Sequence, residues 1–577
     1  MKLIHLSFLF IFFNSAFAQL NIQSTNLTAE NILKGDYDPT DFVAGEVIDD
    51  PDLIVQGINS AINADSLKSY LVKMSSFVNR NTGSDTVSTT EGIGAARRWA
   101  YEKFEQFSTI HDSRLVTSYL QFDQLICGMG QHRNVFAVLP GTDVTNHQVI
   151  VIEAHLDSRC EGACDTDCEA HGMEDNGSGS ALVLELARVM SRFTYKNTFV
   201  FMLTIGEEQG LYGANAFSQY AVDENIPIKA VLNNDVIGGV ICGETSSAPS
   251  CPGLNDVDST QVRFFTEGGF NSKHKQLARY IKLQYQEELV EYVTVPMQLT
   301  VMSAEDRSGR GGDHIPFRQD GFTAMRFTSA NEHGNAGVGG DYHDRQHTSD
   351  DILGVDTDGD MVLDSFFVDF NYLARNATVN GAGAAMIAVG PKPCDFLIET
   401  FEGPGIVIRI TGEIGYPSYR VGLRTVTNDW DSVYVLEGNL DTIYPPASDN
   451  YIISVAAVDN KGIESLFSRE IAFTNGELSL DGGKSPVAPF ELMQNRPNPF
   501  DEATIIGVRI HESFQYKTAF ISIRDLNGRE VERLPIQLSG EMNEVLYTHG
   551  YGQVGTFAYT LVIDGVDRVT KMMVFAN

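Results

Sequence analysis

The apolar residues of this chain follow two rhythms, and the switch between them divides it. Continuous β-branched and apolar runs at residues 134–139, 148–154, 198–205 and 230–235 read as strands buried on both faces. Helical spacing lies around them. It covers residues 58–107, broken at Asn79-Arg80-Asn81-Thr82-Gly83, with an amphipathic stretch over 95–107 and an apolar helix from Ala181 to about Met190. Alternation of the two patterns through residue 390 predicts an α/β fold, a mostly parallel sheet sandwiched by helices. After Pro391 the period drops to two: residues 406–410, 419–425, 432–436 and 450–458 read as short strands between turns. Two small all-β sandwiches are therefore expected to follow the α/β domain.

Polar residues collect where the apolar runs stop. His155-Leu156-Asp157 follows the second run, and Gly206-Glu207-Glu208 follows the third. Asp235 ends the fourth, and Asp175 sits in the turn-rich loop that opens the 181–190 helix. Strand ends are where an open α/β sheet builds its ligand site. An imidazole and several carboxylates delivered there are hard nitrogen and oxygen donors suited to zinc. In His-x-Asp, His155 would ligate and Asp157 would orient the imidazole from behind. Asp175, with two oxygens to share, suits a bridge between two cations. Adjacent residues cannot normally chelate one ion equally, so one glutamate of the pair should ligate and the other carry a proton.

These stretches resemble the secreted zinc aminopeptidases, di-zinc exopeptidases with an α/β fold, over about residues 55–390. The matching segments are His155-Leu156-Asp157, Glu174-Asp175-Asn176-Gly177-Ser178-Gly179, Gly206-Glu207-Glu208-Gln209-Gly210-Leu211-Tyr212-Gly213, Asn234-Asp235 and His347-Thr348-Ser349-Asp350-Asp351. The resemblance implies two Zn2+ ions, with His155 and Asp235 on one, Glu208 and His347 on the other, and Asp175 between them. Glu207 would be the general base. His343 lies close before His347, which is preferred because it begins the His-Thr-x-x-Asp pattern. Asp313-His314-Ile315-Pro316-Phe317 resembles an element near the substrate pocket of this family and of related glutaminyl cyclases, so Asp313 and His314 are expected at the pocket. The implied activity is removal of N-terminal residues from peptide or protein substrates. Glutaminyl cyclisation, carboxypeptidase action and a noncatalytic adhesin are the alternatives.

Composition narrows the partners. With 41 basic and 76 acidic residues, the formal charge of −35 argues against binding nucleic acid or an anionic membrane surface. Residues 1–18 read as an export signal: Lys2, an apolar run to about Phe13, and Ala16-Phe17-Ala18. That run is too short to span a bilayer, and no later segment approaches a span. Residues 19–52, polar and acidic, read as a leader or flexible arm, which places the catalytic domain at 53–392. Seven cysteines in an exported chain predict disulfides plus one thiol. Cys160, Cys164 and Cys168 would pin the loop between His155 and Asp175, Cys242 and Cys251 could pair locally, and Cys127 and Cys394 are the other candidates. Asp356-Thr357-Asp358-Gly359-Asp360 departs from an EF-hand loop and is expected to cap a helix over about 361–373.

Two further resemblances concern the C-terminal part. The strand pattern of residues 395–475 is similar to a fibronectin type III sandwich, and residues 476–487 are linker-like. Residues 488–577 resemble the C-terminal sorting domain of type IX secretion, on Gln494-Asn495-Arg496-Pro497-Asn498-Pro499-Phe500, Thr504, Asp525-Leu526-Asn527-Gly528, Gly555, Tyr559, Asp564-Gly565 and Lys571. With the export signal, this implies passage through the type IX machinery of a Gram-negative outer membrane, then release or surface attachment.

Overall fold

The computed structural model describes residues 19–241, 256–307, 310–330, 345–399, 405–425, 428–445, 450–474, 477–478, 490–500, 503–510, 516–524, 529–538, 542–549 and 555–575. The expected export signal, most of the linker, Cys242, Cys251, His343 and Asp525–Gly528 lie outside those residues. By contacts the chain divides after Glu470 into two units.

In chain order the first unit opens with β1 (Leu20–Ser24), α1 (Leu27–Lys34), α2 (Pro51–Ala61), α3 (Ala64–Ser75), α4 (Gly92–Ile110), β2 (Val116–Ile126) and β3 (Met129–Leu139). It continues with β4 (Val149–His155), α5 (Gly179–Met190), β5 (Thr198–Thr204), α6 (Tyr212–Asp223), β6 (Ile228–Asn234), β7 (Gln261–Phe265) and α7 (Lys273–Gln284). Then come β8 (Gln298–Val301), α8 (His314–Gln319), β9 (Ala324–Ser329), the two-residue strands β10 (Gly354–Val355) and β11 (Ser365–Phe366), and α9 (Phe370–Val389). Nine strands form one sheet in the order β1-β2-β3-β5-β4-β6-β9-β7-β8.

That sheet is mixed, and its parallel part is the part that matters for chemistry. β5, β4, β6 and β9 run parallel as neighbours, while β1, β2 and β3 join antiparallel on one side and β7 opposes β9 on the other. Every residue of β4 and β5 is buried, as strands covered on both faces must be. α5 packs on β4, β5 and β6, and α4, α5, α9 and α7 touch in succession, while α6 and α8 pack on each other. Gly179 sets how closely α5 approaches the sheet: a Cβ there would stand 2.1 Å from the Asn234 carbonyl oxygen.

Two sequence expectations are corrected here. Residues 19–52 are not a flexible arm: β1 pairs with β2 as the edge strand, and Ala29, Ile32 and Leu33 of α1 are fully buried in the core. The helix expected over 361–373 begins only at Phe370, capped by Asp369, whose carboxylate accepts the amides of Asn371 and Tyr372. Asp356 instead accepts the amides of Asp358, Gly359 and Met361 in an exposed turn between β10 and β11.

Still in the first unit, β12 (Phe396–Glu399), β13 (Ile406–Ile410), β14 (Ser418–Arg424), β15 (Ser432–Glu437), β16 (Leu440–Ile443) and β17 (Asn450–Val458) form antiparallel ladders in the orders β12-β13-β16 and β15-β14-β17. This all-β segment is fastened to the α/β part by buried polar contacts. Glu470, 1% exposed, takes Arg424 at 2.5 Å and Arg279 of α7 at 3.0 Å. Tyr280 donates to the Glu464 carbonyl at 3.0 Å.

The second unit holds a three-stranded and a four-stranded antiparallel sheet around one core that includes Val508, Ile521, Tyr547 and Tyr559. The Asn-Arg-Pro-Asn-Pro-Phe run is folded onto it. Asn495 donates to the Pro497 carbonyl and to Thr504 Oγ1, both at 2.9 Å, and its amide donates to the Tyr559 hydroxyl. Asn498 Oδ1 accepts the Val574 amide at 2.7 Å. Among the described residues, no helix is long and apolar enough to cross a membrane.

Candidate metal centre

Parallel register brings the site together. His155 lies level with Thr204 on β5, and Glu153 with Asn233 on β6, so the C-terminal ends of three neighbouring strands coincide. β5 runs on into Glu207-Glu208 and β6 into Asp235. Asp175 enters from the turn before α5, and His347 from a distant loop. His155 Nε2 lies 3.1 Å from Asp175 Oδ1 and 3.4 Å from Asp235 Oδ1. His347 Nε2 lies 3.2 Å from both Asp175 Oδ2 and Glu208 Oε2. Asp175 thus offers one oxygen to each imidazole.

The donor set fits a metal better than it fits itself. His155 Nε2, Asp235 Oδ1 and Glu208 Oε1 are buried and make no hydrogen bond, a costly state for polar atoms unless something else binds them. Two groups each bring three ligand atoms within 4.8 Å of one another: His155, Glu207 and Asp235, and Asp175, Glu208 and His347. Imidazole nitrogens and carboxylate oxygens, with no thiolate, match a catalytic zinc site.

Electrostatics points the same way. Burial opposes the His347 imidazolium, but Glu208 and Asp175 push its pKa up to about 9. Burial raises the Glu207 carboxyl well above the usual carboxylate range, and the negative charges of Asp235 and Glu208 add to the rise. Asp235 is held below its ordinary value against burial by the guanidinium of Arg326, 3.1 Å from its Oδ2.

The supporting shell departs from expectation at Asp157. Its carboxylate is 3.6 Å from His155 Nδ1, too long for a hydrogen bond; its backbone carbonyl, at 3.0 Å, takes that contact instead. The carboxylate is turned toward the glutamates, accepting the Thr82 hydroxyl at 3.1 Å and facing the amides of Glu207 and Glu208 at 3.4 and 3.3 Å. Thr82 in turn accepts the Gly206 amide at 2.9 Å. One buried carboxylate therefore fixes the loop that carries both glutamates.

Asp313 and His314 lie behind the site, with Asp313 near enough to act on the Glu207 carboxyl. They are 0% and 1% exposed and do not line the cleft; Asp313 Oδ2 is drawn inward by the Thr204 hydroxyl at 2.5 Å. Burial pushes the Asp313 carboxyl up to about 7 and lowers the His314 imidazole to about 4.

Other contributors went unassigned in the sequence. Asp351 accepts the amides of Glu174 and Asp175 at 2.8 and 2.9 Å. Arg80, fully buried, donates to the carbonyls of Leu156 and Gly172 at 2.9 and 3.0 Å, tying the His155 strand end to the Asp175 loop. Ser180 Oγ donates to the His155 carbonyl at 2.8 Å. Arg326 joins Asp235 to Asp306. Among the described residues the disulfides are Cys127–Cys164 and Cys160–Cys168, and Cys394 is a buried free thiol. The two bridges pin the loop between His155 and Asp175, and because they take Cys160 and Cys168, those sulfurs are not metal ligands.

The sequence profile of peptidase family M28 matches residues 134–359. A probable zinc metalloprotease of Pyricularia oryzae is 32% identical over 391 residues, 65% of this chain and 74% of that protein. Another probable zinc metalloprotease, from Pyrenophora tritici-repentis, is 30% identical over 439 residues, covering 72% of this chain and 96% of its own. Among solved structures, the LapA aminopeptidase of Legionella pneumophila superposes with a TM-score of 0.42 at 20% identity, over 59% of this chain and 75% of that one. With relatives at this identity matched over most of their length, the chain belongs to peptidase family M28 and is a zinc-dependent metallopeptidase.

Proposed function

We propose that the protein is a di-zinc aminopeptidase, hydrolysing N-terminal residues from peptides. The observation that carries this reading is Asp175, with one carboxylate oxygen 3.1 Å from His155 Nε2 and the other 3.2 Å from His347 Nε2. His155 and Asp235 would hold one ion, Glu208 and His347 the other, and Asp175 both. Zinc held there supplies Lewis acidity, polarising the scissile carbonyl and acidifying a water.

The chain's own residues do the rest. Glu207 stands at the cleft, 13% exposed, with Oε2 4.0 Å from His155 Nε2. Burial favours its neutral form, which suits a carboxylate that accepts a proton from water and returns it to the leaving amine. Asp157 and Thr82 hold its backbone, so it needs little reorganisation during turnover. A panel of free, N-acetylated and C-terminally amidated peptides, with and without chelator, tests the reading. Cleavage of free but not N-acetylated peptides supports it. Cleavage that needs a free C-terminus instead makes the enzyme a carboxypeptidase, and conversion of N-terminal glutamine to a ring makes it a cyclase.

We also propose that the enzyme works outside the cell, delivered by type IX secretion through residues 488–577. Two disulfides support an oxidising compartment. Deleting residues 486–577 should leave active enzyme in the periplasm; undiminished secretion of the truncated chain would refute the route.

A further inference from the structure

The cleft over the metal ligands holds about 310 Å³ and is lined by four arginines, Arg159, Arg307, Arg310 and Arg326. Leu211 is the one apolar side chain among its described lining residues. Such a wall gives a large hydrophobic side chain little to pack against. It also runs against the composition of a chain with 76 acidic and 41 basic residues.

The four arginines differ in their partners. Arg326 pairs with Asp235 and Asp306, and Arg307 with Asp306 at 2.9 Å. Arg159 donates only to carbonyls of its own loop, those of Cys160 at 3.1 Å and Glu161 at 3.0 Å. Arg310 donates to Gln346 Oε1 at 3.0 Å and lies 3.2 Å from His347 Nε2. Neither Arg159 nor Arg310 has a carboxylate partner among the described residues. The Cys160–Cys168 bridge fixes the loop next to Arg159. Arg310 also lies 3.4 Å from His347 Nδ1; a cation held by His347 Nε2 would take the nearer nitrogen from Arg310 and leave it only neutral partners, Gln346 and the other imidazole nitrogen. The lining carboxylates Asp175, Glu207, Glu208 and Asp235 are matched in number by the lining arginines. Two divalent cations would then make the cleft net positive.

From this we infer that the cleft selects substrates carrying a carboxylate beside the scissile bond, gripped by Arg159 and Arg310. The planar guanidinium fork matches a carboxylate with two parallel hydrogen bonds, a fit that no amide or alkyl group reproduces. The carboxylate has two possible sources: the side chain of an N-terminal Glu or Asp, or the free C-terminus of a very short peptide. The inference rests on the peptidase reading above and names its substrate class.

The test uses the full-length zinc-loaded enzyme. Glu-Ala-Ala-amide is compared with Gln-Ala-Ala-amide, and Ala-Ala as free acid with its amide. We expect the acidic member of one pair to have a kcat/KM about 10- to 100-fold higher, and the pair that discriminates identifies the source. R159Q and R310Q should shrink that ratio mainly through KM. A second readout is calorimetric titration of the same peptides into zinc-loaded E207Q, where R159Q and R310Q should weaken binding of the acidic peptide alone. Equal rates for acidic and neutral members, or a ratio that both variants leave untouched, would overturn the inference while leaving the peptidase reading intact. If no peptide is cleaved, the peptidase reading fails and the titration still decides whether the arginines bind a carboxylate.

Discussion

Asp351 holds Asp175 by the backbone: its two carboxylate oxygens accept the amides of Glu174 and Asp175 at 2.8 and 2.9 Å. The residue that offers an oxygen to each histidine is therefore aimed by a second acid, four positions after His347. Asp351→Asn keeps the shape but removes one acceptor, so one of those amides loses its partner. Zinc affinity of the purified variant should fall by about 10- to 100-fold, measured by metal content after competition with a chelator. Unchanged metal content would show that the loop holds itself.

Glu207→Gln should separate binding from chemistry. It preserves volume and one oxygen but cannot carry the proton, so kcat should drop by about 10²- to 10⁴-fold with zinc content unchanged. Near-normal turnover would place the base elsewhere.

The parts of this site that were readable in the sequence share one property: each terminates an apolar run or sits in a motif. His155, Glu207, Glu208 and Asp235 fall where parallel strands stop, and strand ends show directly in the hydrophobic pattern. Thr82 and Arg80 carry no such mark, because they act through contacts 75 or more residues away in sequence, the shortest being between Thr82 and Asp157; Asp351 ends the His-Thr-x-x-Asp motif, but the motif does not show that its carboxylate accepts the amides of Glu174 and Asp175. Asp157 is legible beside His155 and does meet its Nδ1, through the backbone carbonyl; sequence cannot show its carboxylate turning to the amides of Glu207 and Glu208. The parallel core followed from the alternation of elements; the antiparallel flanks did not, because pairing direction leaves no local trace. Residues 19–52 read as a polar arm in the sequence although Ala29, Ile32 and Leu33 have helical i, i+3, i+4 spacing. The acidic residues around that triplet obscured it.

Reduction should cost stability as well as order in the active-site loop. The Cys127–Cys164 bridge closes a loop with a sequence separation of 37, and chain entropy values such a closure at about 4 kcal/mol. A thermal melt with dithiothreitol should show a clearly lower Tm than one without. Cys394 should stay unlabelled by thiol reagents until the protein unfolds, since burial pushes its thiol up to about 12.

Glu464 should make stability depend on pH. Burial raises its carboxyl to about 7, against an unfolded value of about 4.3. Below the unfolded value both states are protonated and its contribution is intact. As pH rises toward 7 the unfolded chain loses its proton first, and stability falls by an amount on the order of 3 kcal/mol. Glu464→Gln should therefore gain in Tm over the parent at pH 8 relative to pH 5. An equal difference at both values would mean the folded carboxyl titrates normally.

The ligand atoms arise from His155 to His347, with Asp351 behind them. A nascent chain emerging from the ribosome thus owns no working scissors until most of its catalytic half has been made. On the ligand set proposed above, fragments that end short of residue 347 lack a donor that the second ion needs, however well their strands survive.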